Sequence, residues 1–188
     1  MHLKYIGLVA SFVLALAVAA PAAAQGRVPD RGMGAISFLV GGAMPTEEVL
    51  ENGWFIAVAG EGYLTPRVSI RGQFGGSWHD VEFNGLDGKV APMHLTGNLV
   101  YNWEYGKWHP YVTGGVGWYR WRFGEGDGRP TDSKVGANLG GGIEYFFSRR
   151  DTLMGDINIH FVPGTMDSNI FPYEGRYWTV AGGYKRYF

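Results

Sequence analysis

The chain has 188 residues, with 16 Lys and Arg against 17 Asp and Glu, no cysteine and 31 glycines. That length fits one domain, and the near balance of charge excludes the basic excess of a nucleic-acid-binding domain. Without cysteine there is no disulfide framework, thiolate metal site or thiol nucleophile. Glycine is far above the average of about 7%, yet the 7 Trp and 11 Tyr are atypical of a disordered glycine-rich chain. The composition therefore favours β structure, and we expect no nucleic-acid partner.

Residues 1–24 have the features of a secretory signal peptide. A positive start is followed by an apolar run, and a proline ends that run. Small residues then precede a cleavage position between Ala24 and Gln25. A retained membrane anchor is the alternative, because the apolar run is long enough to make one possible. We predict cleavage and a mature domain of residues 25–188.

Hydrophobic periodicity of two recurs in eight segments of the mature chain. They span residues 33–44, 53–63, 67–79, 91–105, 110–123, 135–147, 153–162 and 175–188. The fourth segment shows the pattern best, with Leu99 on the apolar face and Asn98 on the polar face. The fifth has aromatic residues on both faces, and a bulge near Gly117 would reconcile them. Each segment is a predicted β-strand.

The connections between these segments alternate in length. Three are tight, at residues 63–66, 106–110 and 148–152. Four are long, at residues 45–52, 80–90, 124–132 and 164–174. A barrel whose strand ends open into two compartments produces this alternation. The pattern predicts an all-β fold, an eight-stranded antiparallel up-and-down barrel.

The apolar face of these strands carries too many large side chains for the interior of a small barrel. Trp54, Trp78, Trp103 and Trp178 all lie on it, while the other face is mainly Gly, Ala, Ser, Thr and Asn. Eight strands enclose only enough room for side chains. We therefore expect the small polar residues inside and the aromatic residues outside, facing lipid. The prediction is a transmembrane barrel.

Three stretches resemble a known family, at His109–Gly117, Asn138–Phe147 and Gly182–Phe188. They are similar to the eight-stranded outer-membrane β-barrels of Gram-negative bacteria, the outer membrane protein A and X type. The resemblance covers the mature chain and implies a monomeric protein of the cell outer membrane. It also implies a C-terminal signal, with Tyr184 and Phe188, that the barrel assembly machinery reads. Outer-membrane lipid and lipopolysaccharide are then expected partners, and the specific surface partner is left open.

His160, followed by Glu174, resembles part of the lipid A deacylase barrels, which use a Ser-His-Glu triad on the lipid-facing side. In that family the Ser lies two residues after the His, and here that position is Val162. Acyl transfer needs a hydroxyl activated by the His. We therefore predict no enzymatic activity and no catalytic residue. His160 is expected to form a hydrogen bond with Asp156 or Asn158 inside the barrel.

Residues 124–128 alternate Gly with Glu and Asp, and carboxylates are calcium ligands. The rest of a calcium-loop pattern is missing, and no His spacing suits zinc. We predict neither a metal site nor a cofactor.

Charged residues on the polar face should meet inside the barrel. Alternation places four acids and three bases there: Glu61, Arg67, Arg71, Glu104, Glu144, Asp156 and Lys185. A lone buried charge is unfavourable, so we expect these residues to pair across strands. Arg71 and Glu144 are the predicted central members, and a direct contact between them is one form of this network. Such a network fills the lumen.

Arg120 and Arg122 lie near the outer end of the fifth segment. Because arginine makes bidentate contacts with phosphate, both are candidates for contact with lipopolysaccharide. Inward pairing with acidic residues is the alternative. The sequence as a whole predicts a non-enzymatic outer-membrane barrel with an envelope-structural or surface-interaction role. A lipid A-modifying hydrolase and a small pore are the alternative functions.

Overall fold

A computed structural model describes the chain over six ranges. They are residues 29–46, 51–83, 86–104, 106–122, 131–163 and 175–188, with side chains left out over 81–83 and 86–89. The predicted signal peptide with its Ala24–Gln25 cleavage position lies outside these ranges, as do Glu174 and the loop 124–128. Within them, no helix is long and apolar enough to cross a membrane.

Nine strands form one antiparallel sheet in the described part of the chain. They are β1 Gly34–Pro45, β2 Gly53–Tyr63, β3 Val68–Phe83, β4 Leu86–Val90, β5 Met93–Asn102, β6 Trp108–Arg122, β7 Thr131–Phe146, β8 Asp151–Val162 and β9 Gly175–Tyr187. Their order is β2-β1-β9-β8-β7-β6-β5-β3-β4, and an additional pairing of β2 with β3 closes the sheet. Since β4 lies outside this closed ring, the predicted eight-stranded antiparallel barrel is confirmed.

β3 and β4 form a hairpin that extends past the barrel wall. β3 pairs with β5 and then, in the same register, with β4. Ala91 and Pro92 separate the two partner strands. The Ala91 N–H donates to the Arg122 carbonyl on β6 at 3.0 Å, and proline has no N–H to donate. The sequence predicts a loop over residues 80–90, because Asn, Asp and Gly are common there. In the structure, residues 86–90 of this segment form β4 instead.

The connections divide the barrel into two ends. The turn end carries the short connections β2–β3, β5–β6 and β7–β8, and there the Phe188 N–H donates to the Gly34 carbonyl at 2.9 Å. The loop end carries the four long connections, one of which contains β4. Because the closed ring has eight antiparallel strands and its first and last connections lie at the loop end, both chain ends of the barrel lie beside the turns.

Side chains alternate between the lumen and the outer wall along each strand. In β5 the buried residues include Asn98 and Val100, whereas Leu99 between them is 59% exposed on the outer wall. β6 keeps continuous registers with β5 and β7 through Gly117. The predicted bulge near Gly117 is therefore wrong, and β6 carries aromatic residues on both faces because both the lumen and the outer wall contain rings.

The lumen contains more aromatic side chains than the sequence predicts. Eight are buried in the described ranges: Phe55, Tyr63, Tyr111, Tyr119, Trp121, Phe146, Tyr177 and Tyr187. Neighbouring glycines make room for them. A Cβ on Gly142 would lie 2.5 Å from the Tyr111 hydroxyl, and one on Gly136 would lie 3.0 Å from the Tyr119 ring. Large rings fit a narrow barrel where the adjacent inward positions have no side chain.

Candidate functional site

Five charged side chains form a buried cluster in the half of the lumen nearer the turn end. Lys185 Nζ lies 2.7 Å from both Glu61 Oε2 and Glu144 Oε1. Arg71 Nε lies 3.0 Å from Glu61 Oε2, and Arg71 Nη1 lies 3.5 Å from Asp156 Oδ2. None of the five is more than 7% exposed. Glu61 thus bridges two cations, and Lys185 bridges two carboxylates. We call these residues the ionic cluster.

Tyrosine hydroxyls complete the bonding of the carboxylates in the ionic cluster. Tyr187 Oη donates to Glu144 Oε2 at 2.6 Å, and Tyr111 Oη donates to Asp156 Oδ2 at 2.5 Å. The Arg71 guanidinium also lies over the Tyr111 ring, 4.8 Å from its centroid. Hydrogen bonds to charged groups are stronger than neutral ones. Three carboxylates and two cations therefore share a bonded environment in which each charge has an opposite partner.

The barrel topology explains how these residues meet. The tight β2–β3 hairpin places Glu61 opposite Arg71. Ser69, nearer the turn on β3, donates a hydrogen bond to Glu61. Lys185 on β9 reaches past β1 to Glu61 and past β8 to Glu144. One contact follows from strand register, and the others depend on the curvature of the closed sheet.

Two predictions about the lumen charges are wrong, and that for Glu104 stays a prediction. Glu104 is half-buried beyond the end of β5. Arg67 is exposed, because it precedes β3 within the turn, where strand alternation does not apply. Arg71 pairs with Glu61 and Asp156 rather than with Glu144, whose cation is Lys185.

A second cluster, made of rings, fills the half of the lumen nearer the loop end. The ring centroids of His94 and His160 are 5.0 Å apart, and both residues are buried. His160 stacks on Tyr177 at 4.5 Å with an interplanar angle of 9°. Tyr119 packs edge-on against His160 at 5.8 Å, and Phe55 stacks on His94 at 5.9 Å. We call these five residues the ring cluster.

Hydrogen bonds without carboxylates link the members of the ring cluster. Tyr119 Oη and His160 Nδ1 are 3.1 Å apart, and Thr179 Oγ1 lies 3.3 Å from His160 Nε2. Tyr177 Oη lies 3.2 Å from His94 Nδ1. The alternation that predicts His160 inside the barrel also places His94 on the polar face of its strand.

The surroundings of His160 differ from those of a lipid A deacylase triad. His160 and Val162 both face the lumen, whereas that triad lies on the lipid-facing side. The predicted hydrogen bond of His160 to Asp156 or Asn158 is wrong. Asp156 lies four residues closer to the turn end, where it binds Arg71, and Asn158 donates to Asp156 instead.

Within the described ranges, no group of three or more His, Asp or Glu residues is arranged to hold a metal ion. Arg120 and Arg122 are half-buried, on the same outward face of β6 as Trp118. Tyr184 lies on the outer wall near the turn end, in the same strand as Lys185.

Comparison with known proteins identifies the family. A model of the outer membrane protein beta-barrel domain matches residues 10–185. The chain belongs to this family. No curated protein matches the chain in sequence. The outer wall of exposed apolar side chains is the surface that an outer-membrane barrel presents to lipid.

Solved outer-membrane barrels share the fold. Neisserial surface protein A has a TM-score of 0.63 and 11% identity, covering 83% of this chain and 96% of its own. Ail of Yersinia pestis has a TM-score of 0.59 and 15% identity, covering 84% and 99%. The N-terminal barrel of Pseudomonas aeruginosa OprF has a TM-score of 0.54 and 14% identity, covering 84% and 98%. Identities this low show a common fold alone.

Proposed function

We propose that this chain is a monomeric, non-enzymatic outer-membrane barrel with a closed lumen, and that it acts through its loop end at the cell surface. The filled lumen carries this proposal. The ionic cluster occupies the half nearer the turns, and the ring cluster occupies the half nearer the loops. A lumen occupied by both clusters supports a scaffold that presents loops rather than a channel.

Orientation in the membrane follows from connection length. Outer-membrane barrels have short periplasmic turns and longer extracellular loops. The turn end therefore faces the periplasm after export and cleavage of the signal peptide at Ala24–Gln25. Tyr184 and Phe188 then lie at the periplasmic end, where the assembly machinery would bind its C-terminal signal.

The charge of the loops narrows the chemistry of a surface partner. The four long connections, residues 45–52, 80–90, 124–132 and 164–174, contain 11 Asp and Glu but 2 Lys and Arg. An acidic surface of this kind repels polyanions and attracts cationic partners. Ail of Yersinia pestis was solved in complex with the heparin analogue sucrose octasulfate. The acidic loops favour a cationic peptide or protein surface for this chain instead.

Lipopolysaccharide is the proposed lipid partner of the loop end. Arg120 and Arg122 on β6 and Arg176 on β9 all lie on the outward faces of their strands, close to the loops. Arginine suits bidentate binding of phosphate. These bases lie at the strand ends next to the acidic loops. From there they face outward toward the lipid phosphates.

Two measurements on the refolded protein test the proposal. In planar bilayers we expect no steady single-channel conductance, and steady conductance would establish the pore function instead. In a surface-binding assay, the barrel should bind immobilised polylysine and not heparin. A variant with Glu47, Glu48 and Glu51 replaced by Gln should bind polylysine more weakly. Preferential binding to heparin would contradict the cationic partner, and release of fatty acid from added lipid A would contradict the non-enzymatic assignment.

A further inference from the structure

Basic residues predominate at the turn end, in contrast to the acidic loops. The exposed bases described there are Arg31, Arg67, Lys107, Arg149, Arg150 and Arg186. The acids described at the same end are Asp30, Glu104 and Asp151. Half of the bases belong to one place, the β7–β8 turn and the adjoining end of β9.

The β7–β8 turn holds two arginines at its tip. The Ser148 N–H donates to the Asp151 carbonyl at 3.3 Å, and the Asp151 N–H donates to Ser148 Oγ at 3.0 Å. Ser148 Oγ in turn donates to Asp151 Oδ2 at 2.5 Å. These reciprocal bonds close the turn around Arg149 and Arg150, whose side chains are exposed. The turn therefore presents two guanidinium groups from a backbone that its own bonds hold in place.

A third arginine is fixed beside this turn by the same aspartate. Arg186 lies opposite Asp151 in the β8–β9 register, and its Nη1 is 3.2 Å from Asp151 Oδ1. Tyr184 Oη donates to the same carboxylate oxygen. Asp151 therefore fixes Arg186 beside the turn that carries Arg149 and Arg150, so three arginines lie at one place.

Apolar side chains of the outer wall adjoin this basic group. Phe147 and Leu153 are each more than half exposed, and Tyr184 is 39% exposed. Leu153 lies opposite Tyr184 in the sheet, and the Phe147 and Tyr184 ring centroids are 6.4 Å apart. The apolar outer wall thus ends beside this group of arginines.

We infer that Arg149, Arg150 and Arg186 form a binding site for the phosphate headgroup of an anionic phospholipid. Its acyl chains lie along Phe147 and Tyr184. Basic residues near a membrane surface attract anionic lipid, and the guanidinium group binds phosphate through two parallel hydrogen bonds. The proposed orientation assigns this lipid to the periplasmic leaflet, but the site itself depends only on insertion in lipid.

Native mass spectrometry of the refolded protein tests the site directly. The protein is released from micelles containing equal amounts of phosphatidylglycerol and phosphatidylcholine, and the retained lipids are counted. The wild-type protein should retain phosphatidylglycerol preferentially. R149Q/R150Q should lower that preference roughly tenfold or more, whereas R149K/R150K should keep most of it. Arg67→Gln is the matched control, because Arg67 is an exposed arginine on another turn of the same end.

Three outcomes would overturn the inference. The first is equal retention of phosphatidylglycerol by wild type and R149Q/R150Q. The second is a loss of that retention in Arg67→Gln as large as in R149Q/R150Q, which would indicate a diffuse electrostatic attraction instead of a site. The third is full displacement of the lipid by inorganic phosphate, which would indicate a free-anion site.

Heat-modifiable migration on gels establishes that each variant is folded. If the double variant does not fold, Arg149→Gln alone should show a smaller loss, and no loss would also overturn the site. Conductance and polylysine binding do not involve these residues, so this failure is distinguishable from failure of the proposed function.

Discussion

The two halves of the lumen are closed by different chemistry. In the turn half, Lys185 and Arg71 hold three carboxylates in a network of charged bonds. In the loop half, His94 and His160 pack among aromatic rings, with contacts that involve no carboxylate. Removing one member of a buried ion pair leaves an unpaired buried charge, which is strongly destabilising. Removing a hydrogen bond between neutral groups lowers stability much less. The turn half should therefore be much less tolerant of single substitutions than the loop half.

The placement of the two clusters matches the charge at the two ends. The ionic cluster has three acids and two bases, a formal charge of −1 (2 − 3), and it lies nearer the basic turn end. The ring cluster has no carboxylate among its five members and lies nearer the acidic loops. The opposite arrangement would place buried carboxylates closer to like charges, which is unfavourable.

The largest effect should come from removing the central cation of the turn half. Lys185→Met leaves Glu61 and Glu144 without the ammonium group they share, and we expect a loss of about 3–5 kcal/mol in the free energy of unfolding. Urea unfolding in lipid vesicles measures it. Lys107→Met, an exposed lysine at the same end, is the control and should change little. Equal effects of the two variants would show that the ionic cluster does not stabilise the barrel.

A substitution on the outer wall gives a reference for the loss of stability caused by substitutions in the lumen. Leu99 faces outward near the middle of β5, so Leu99→Arg places a charge in hydrocarbon and should cost about 2–4 kcal/mol. Asn98→Ala, one residue away in the lumen, should cost less. The same unfolding assay compares them, and the reverse order would mean that the inside and outside faces are exchanged.

Two hydroxyl deletions compare the halves directly. Ser69 donates to the Glu61 carboxylate in the turn half, and Thr179 contacts His160 in the loop half. Ser69→Ala should cost about 1.5–3 kcal/mol, because the bond is to a charged group. Thr179→Val should cost only about 0.5–1.5 kcal/mol. If chemical unfolding gave Thr179→Val the larger loss, the proposed difference between the halves would be wrong.

A glycine substitution tests the packing of the ring cluster. A Cβ on Gly75 would lie 2.7 Å from His94 Nε2 and 3.1 Å from the Ala57 Cβ, so Gly75→Ala must shift the His94 ring. We expect a loss of about 1–2 kcal/mol from this overpacking. Gly97→Ala is the control, because a Cβ there meets nothing within 4 Å. Unfolding midpoints that do not differ between these variants would show that the ring cluster is loosely packed.

Strand periodicity predicts the fold and the direction of most side chains. The alternation around Leu99 and Asn98 is regular, and the structure has the same alternation. The sequence also contains enough information to pair Glu61 with Arg71, because a tight hairpin sets the register of its strands. The hairpin register therefore predicts the Glu61–Arg71 contact, whereas the predicted centre of the network is Arg71 with Glu144.

Strand periodicity does not predict the remaining features, because they depend on the three-dimensional arrangement of the strands. Lys185 reaches strands two positions away on both sides, which requires the curvature of the closed barrel. Arg67 is exposed because β3 begins one residue later than the alternating pattern. β4 has a loop-like composition and forms a strand because β3 continues past the wall and offers it a partner.

That continuation of β3 makes the protein suited to carrying foreign peptides. The β2–β3 register ends at Trp78, and the Glu51 N–H still donates to the Asp80 carbonyl. Beyond Asp80, β3 and β4 form a two-stranded ribbon. Its three residue pairs, at roughly 3.3 Å per residue, extend it by about 10 Å. A peptide epitope inserted between Phe83 and Leu86 would be held away from the membrane by this ribbon. Because neither cluster of the lumen includes the ribbon, such an insertion leaves the bonds that close the barrel intact.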